Sequence, residues 1–105
     1  MNPYSYQHER MTTAISYLMM PDVAFEKRLT GAMLEFRHAF HDREPSDLAF
    51  DHFEMIKGVM GDSVSEGLEE RAKNLTPLQR NQIVNAFWEL HRAVSRDYDT
   101  YEAER

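Results

Sequence analysis

Helix punctuation constrains this chain more than any other feature, because start and stop signals cut it into amphipathic segments of helical period and leave almost no unassigned loop. The clearest signal is Thr76-Pro77-Leu78-Gln79. Thr76 accepts from an orphan backbone N–H, Pro77 needs no donor at the first helical position, and Gln79 reaches back to complete a capping box. The expected architecture is all-α: a compact bundle of four to five amphipathic helices with a long C-terminal helix, forming one domain over residues 1–105.

A first helix is expected from Tyr4 to Met20, with Asn2 as cap, Pro3 at the first helical position and Pro21 forcing the end. Its apolar seam reads Tyr4, His8, Met11, Ile15 and Leu18. A second should run from Asp22 to His41 or Arg43, presenting Phe25, Leu29, Ala32, Met33, Phe36 and Phe40, with Gly31 an interior cost. Pro45-Ser46-Asp47 breaks and restarts the chain. A third helix, Asp47 to Met60, should bury Leu48, Ala49, Phe53, Ile56, Val59 and Met60 and stop at Gly61. Ser63-Val64-Ser65-Glu66 reads as a second capping box, opening a short helix with Val64, Leu68, Ala72 and Leu75 inward. The last helix, Pro77 to about Tyr101, carries Val84, Phe87, His91, Val94, Tyr98 and Tyr101 at alternating three and four spacings, flanked by Ile83 and Leu90. Such a helix is about 36 Å long, more than a domain of this size needs to cover its own core, so part of it is expected to project or pair.

Composition narrows the function classes. With 18 acids against 12 bases the formal charge is −6, which opposes non-specific attraction to nucleic-acid phosphates or anionic lipid. Lys27-Arg28 and Arg92 with Arg96 are the only local basic candidates, and acids stand close to each. No cysteine is present, so disulfides, thiolate metal sites and cysteine nucleophiles are unavailable. The first ten residues lack the basic-then-apolar order of a signal peptide, and no run of about 18 apolar residues occurs. A soluble, cytoplasmic protein is the expectation.

Candidate chemistry is sparse. Glu35-Phe36-Arg37-His38 has the ExxH spacing of ferritin-like dinuclear sites, but Glu35 and His38 fall roughly 110° and 170° from the centre of their helix's apolar face, and no second ExxH occurs. His38, His41 and Asp42 form the densest imidazole cluster, also on the polar side. His8, His52 and His91 each fall within roughly 40° of the apolar centre of their own helix. If they converge, they supply a three-histidine zinc site with an open position; if not, each is a half-buried histidine bonded to its own partner. The acid pairs Glu69-Glu70 and Asp97 with Asp99 diverge on a helix, and every serine or threonine of recognisable context sits at a helix start or on a helix. No catalytic residue and no cofactor is expected.

Seven methionines exceed what a minimal core needs, and methionine packs adaptably at recognition surfaces. Met19, Met20, Trp88, Tyr98 and Tyr101 lie partly off the main seams and are the candidate interaction residues. The expected function is that of a non-enzymatic helical interaction or regulatory, inhibitor-like protein, forming a homodimer through the first and last helices or docking on another protein, with no direct nucleic-acid or membrane binding. The alternatives are a histidine-containing metal- or small-ligand bundle, and an acidic decoy that occupies a partner's nucleic-acid site with Asp62, Glu66, Glu69 and Glu70.

Overall fold

A computed structural model describes residues 1–61 and 67–105. Five helices follow one another with no strand among the described residues: α1 Ser5–Leu18, α2 Phe25–Ala39, α3 Asp47–Met60, α4 Leu68–Lys73 and α5 Pro77–Ala103. The all-helical bundle with a long last helix expected from the punctuation is the fold observed. At 27 residues α5 is about 40 Å long and runs nearly the full 45 Å of the molecule. α1 packs between α2 and α5, α3 lies on the other side of α5, and the short α4 bridges α2 and α3. No Cα of α2 lies within 8 Å of a Cα of α3.

Most helix limits follow their local signals. The Thr76 box forms in full: Gln79 N–H donates to Thr76 Oγ1 at 3.1 Å, and Thr76 N–H donates to Gln79 Oε1 at 2.9 Å. α3 spans the expected residues and stops at Gly61, whose φ of 82° is the left-handed value that favours glycine. α1 starts at Ser5, one residue later than expected. Asn2 still serves its start, accepting the Tyr4 N–H at 2.9 Å while the Pro3–Tyr4 turn precedes the first helical residue. α2 starts three residues later than Asp22, because Asp22 itself adopts φ 59° and cannot begin a right-handed helix. It also ends at Ala39, short of His41. The Ser63–Glu66 capping box and Val64 lie outside the described residues.

The core is a continuous cluster drawn from all five helices, centred on Met11, Leu29, Met33, Ile56, Ile83, Phe87 and Leu90. Two expectations about it need correction. On α5 the buried stripe is Ile83, Ala86, Phe87, Leu90, Ala93 and Val94, whereas Val84, His91, Tyr98 and Tyr101 are half-buried. The seam is rotated because α3 packs on one flank of α5 and α1 on the other, so the helix buries the arc between its two neighbours. Leu48 is the second correction: at 52% exposure it sits outside the core, in the first turn of α3.

Gly31 has a structural cause. A Cβ built there would lie 2.6 Å from Tyr17 Cδ1 and 2.8 Å from its Cγ, so α2 and α1 approach as closely as they do only because the position has no side chain. Alanine at this position gains roughly 1 kcal/mol of helix propensity but must push the root of the Tyr17 ring out of place, an overpacking cost of about 1–3 kcal/mol. Gly31→Ala is therefore expected to lower the urea midpoint, and Gly31→Ala with Tyr17→Leu to recover part of the loss. A raised midpoint in the single variant would mean that Tyr17 moves away freely. Thr76→Ala, which removes only the cap acceptor, should cost about 1 kcal/mol in the same measurement.

Candidate functional site

The side chains with chemistry gather on the α1–α5 flank that the rotated seam leaves outside the core. The two helices run antiparallel: Asn2 Nδ2 donates to Tyr98 O and Glu102 Oε2, each at 3.1 Å, and Thr12 Oγ1 lies 3.2 Å from His91 Nε2. Between these ties the rings stack. His8 of α1 lies over Tyr98 with centroids 4.6 Å apart and planes 12° from parallel, and over His91 at 6.1 Å and 18°. Trp88 meets the edge of His91 at 6.2 Å, nearly perpendicular. The result is a strip of four rings, Tyr98, His8, His91 and Trp88, running along the groove between the helices. Each ring covers its neighbour's apolar face, the offset and edge-on geometries that aromatic quadrupoles favour.

The strip brings together two of the three inward histidines. His52 is half-buried on α3, and no ring contact or hydrogen bond joins it to His8 or His91. Among the described residues no three histidine, aspartate or glutamate side chains are grouped so as to hold a metal ion. The three-histidine site is thus not assembled: a position near the apolar centre of its own helix says nothing of which neighbour it faces, and α3 and α1 lie on opposite flanks of α5. The ExxH pair is also dispersed. Glu35 accepts from Arg10 Nη1 at 3.1 Å, while His38, one turn on, is exposed to solvent. His41 Nδ1 pairs with Asp42 at 2.8 Å in solvent. Asp97 accepts from Ser46 Oγ at 2.7 Å and so fixes the start of α3 to α5, a structural duty apart from Asp99.

The candidate interaction residues divide into two kinds. Met19 and Met20, 64% and 42% exposed, and Trp88 at 37% present apolar surface to solvent. Tyr98 does not: its ring is taken up by His8, and it and Tyr101 are half-buried. Met19 projects from the same side of α1 as Thr12, seven residues earlier, so it extends the face beyond the ring strip. Beside Trp88 the outer face of α5 forms a shallow groove with Arg92, Ser95, Arg96 and Asp99. Ser95 Oγ there is buried without a hydrogen-bond partner. The acidic face fares differently: Glu69 lies 4.0 Å from Lys27, and Lys73 shares the surface with Glu69 and Glu70. Asp62 and Glu66 lie outside the described residues.

Sequence reasoning read Asn2 only as a cap and passed over Gln7 and Arg37. The first two are buried polar side chains that tie the start of α1 to α5 and, through Gln7 Nε2 to Arg43 O at 2.9 Å, to the α2–α3 connection. The sequence signal for Gln7 is only a polar residue beside an apolar seam. Arg37 lines a second cleft, between α2 and α3, and its Nη2 is buried without a partner.

Burial, reinforced by the neighbouring His8, holds the His91 imidazole below its ordinary pKa of 6.5. Folding therefore favours the neutral ring. Its contribution to stability is full above about pH 6.5 and is lost as pH falls through the lower folded value. Urea midpoints of the wild type should drop on acidification below about pH 6.5 more steeply than those of His91→Gln. Parallel curves for the two proteins would show that His91 carries no proton linkage.

No helix among the described residues is long and apolar enough to cross a membrane. The chain matches no family model, no curated protein and no solved structure.

Proposed function

We propose that this chain acts by docking rather than by chemistry, as a small helical interaction protein that self-associates through its α1–α5 face. The observation that carries this reading is the ring strip ending in an exposed Trp88, continued by Met19 on the same side and bordered by an unsatisfied Ser95 hydroxyl. Exposed tryptophan and methionine beside a preformed aromatic platform are the residue types that concentrate binding energy at interfaces. The platform is held rigid by Asn2 and Thr12, so little side-chain order is lost on association.

A second copy is the occupant that the charges favour. The exposed charges on this stretch of α5 are Glu89, Arg92, Arg96, Asp99 and Glu102, two arginines with acids on either side. A two-fold pairing of antiparallel α5 helices, slid by about one turn, sets Arg92 of each copy against Asp99 of the other. Symmetry repeats this opposite-charge contact; the same register sets Glu89 of each copy opposite Glu102 of the other, acids whose charges are met within each chain by Arg92 and Arg105.

Light scattering of the full chain at about 50 μM should give a dimer mass. Arg92→Glu and Trp88→Ala should each shift it toward monomer, and Arg92→Glu with Asp99→Arg should restore the dimer that Arg92→Glu weakens. A wild-type monomer at that concentration, or a dimer indifferent to all these changes, would overturn the assignment.

A further inference from the structure

The cleft between α2 and α3 exists because the two backbones stand apart. Its volume is about 360 Å³, in the lower part of the range of small-molecule sites. The floor is apolar, made of Met33, Phe36, Phe40 and Phe53. Its rings are fixed by one another, with Phe36 5.4 Å and Phe40 5.2 Å from Phe53. The rim carries the opposite character: Arg37 from α2, His41 just after it, Lys57 from α3, and no acid among the described residues. On a chain of net charge −6, a mouth whose described charged lining is basic stands out.

The rim cations differ in how they are occupied. Lys57 lies over the Phe53 ring at 4.9 Å and 3.9 Å from Glu54, and His41 is paired with Asp42. Arg37 makes no ion pair or hydrogen bond among the described residues, and its Nη2 is buried. A buried guanidinium nitrogen without an acceptor forfeits the interaction that would offset its desolvation. The unmet demand is for a planar oxyanion, which the guanidinium fork matches two-pronged.

We infer that the α2–α3 cleft is a binding site for a small amphipathic monocarboxylate, whose aromatic or aliphatic body lies on the phenylalanine floor and whose carboxylate pairs with Arg37. A single negative charge fits a rim with one permanent cation left unpaired among the described residues, since Lys57 is shared with Glu54; a phosphate dianion would leave charge unmatched. The cleft shares no lining residue with the α1–α5 face, so the inference stands apart from self-association.

Calorimetric titration of the full chain with 4-phenylbutyrate, its neutral amide 4-phenylbutyramide and phenyl phosphate tests it. The acid is expected to bind with Kd at or below about 1 mM and the amide about tenfold more weakly. Arg37→Gln should weaken the acid about tenfold and leave the amide unchanged, a selectivity that a structural role for Arg37 would not produce. Should that variant fail to fold, the comparison of acid with amide on the wild type still decides. Equal binding of acid and amide, no binding of the acid to about 10 mM, equal loss of both ligands in Arg37→Gln, or tighter binding of phenyl phosphate would each overturn the assignment.

Discussion

Phe36 joins two helices whose Cα traces stay more than 8 Å apart. Across the spacing between α2 and α3, what joins them is rings: Phe36 lies 5.4 Å from Phe53 of α3, 5.9 Å from Phe87 of α5 and 5.5 Å from its own neighbour Phe40. Large rigid side chains span a gap that leucine would leave as a void, and edge-on and offset contacts add to the area they bury. The same spacing that calls for rings leaves the cleft on one side of them. Core and candidate ligand site thus share one cause, the distance at which α2 and α3 are held by α1, α4 and α5.

Those outer helices are coupled through their ends. Arg28 of α2 donates to Leu18 O at the end of α1, Arg71 of α4 to Val59 O near the end of α3, and Arg80 of α5 to Lys73 O at the end of α4. Each is a cation placed on carbonyls that lack an intrahelical partner, where the helix dipole is negative. Asn2 adds a neutral donor to Tyr98 O, a carbonyl still inside the α5 ladder, and so pins the start of α1 to the last turns of α5. Helix termination in this chain is completed by neighbouring elements, so loss of packing also uncaps a helix, which makes the bundle cooperative.

The α1–α5 flank shows how a small rotation creates a surface. Had α5 buried the arc centred on His91 and Val94, the imidazoles would have been core residues needing private partners. With the buried arc centred on Phe87 and Leu90, His8 and His91 stand at the rim, where rings stack on rings and Thr12 supplies the polar contact. Half-burial leaves His91 neutral near physiological pH and leaves Trp88 available to solvent. Docking at this flank and carboxylate binding in the cleft are separate readings, and each uses a property of the packing rather than of a motif.

What the sequence determined is whatever rests on contacts within a turn or two of helix. The Thr76-Pro77-Leu78-Gln79 box formed as read because its donors and acceptors are three residues apart on one chain, and Asp47 to Met60 became a helix because its period and its terminal Gly61 are equally local. The core members Met11, Leu29, Phe53 and Phe87 were legible for the same reason. Tertiary structure decided what depends on a second element: which arc of α5 is buried, why Gly31 lacks a side chain, that Leu48 faces solvent, and that His8 meets His91 while His52 does not. Arg37 is the sharpest case, since a lone arginine on a helix is unremarkable until the opposite wall proves to hold no acid among the described residues. Periodicity reports which side of a helix is apolar; only packing decides which neighbour each side meets, because burial is set by the summed surfaces of several helices and not by any one of them.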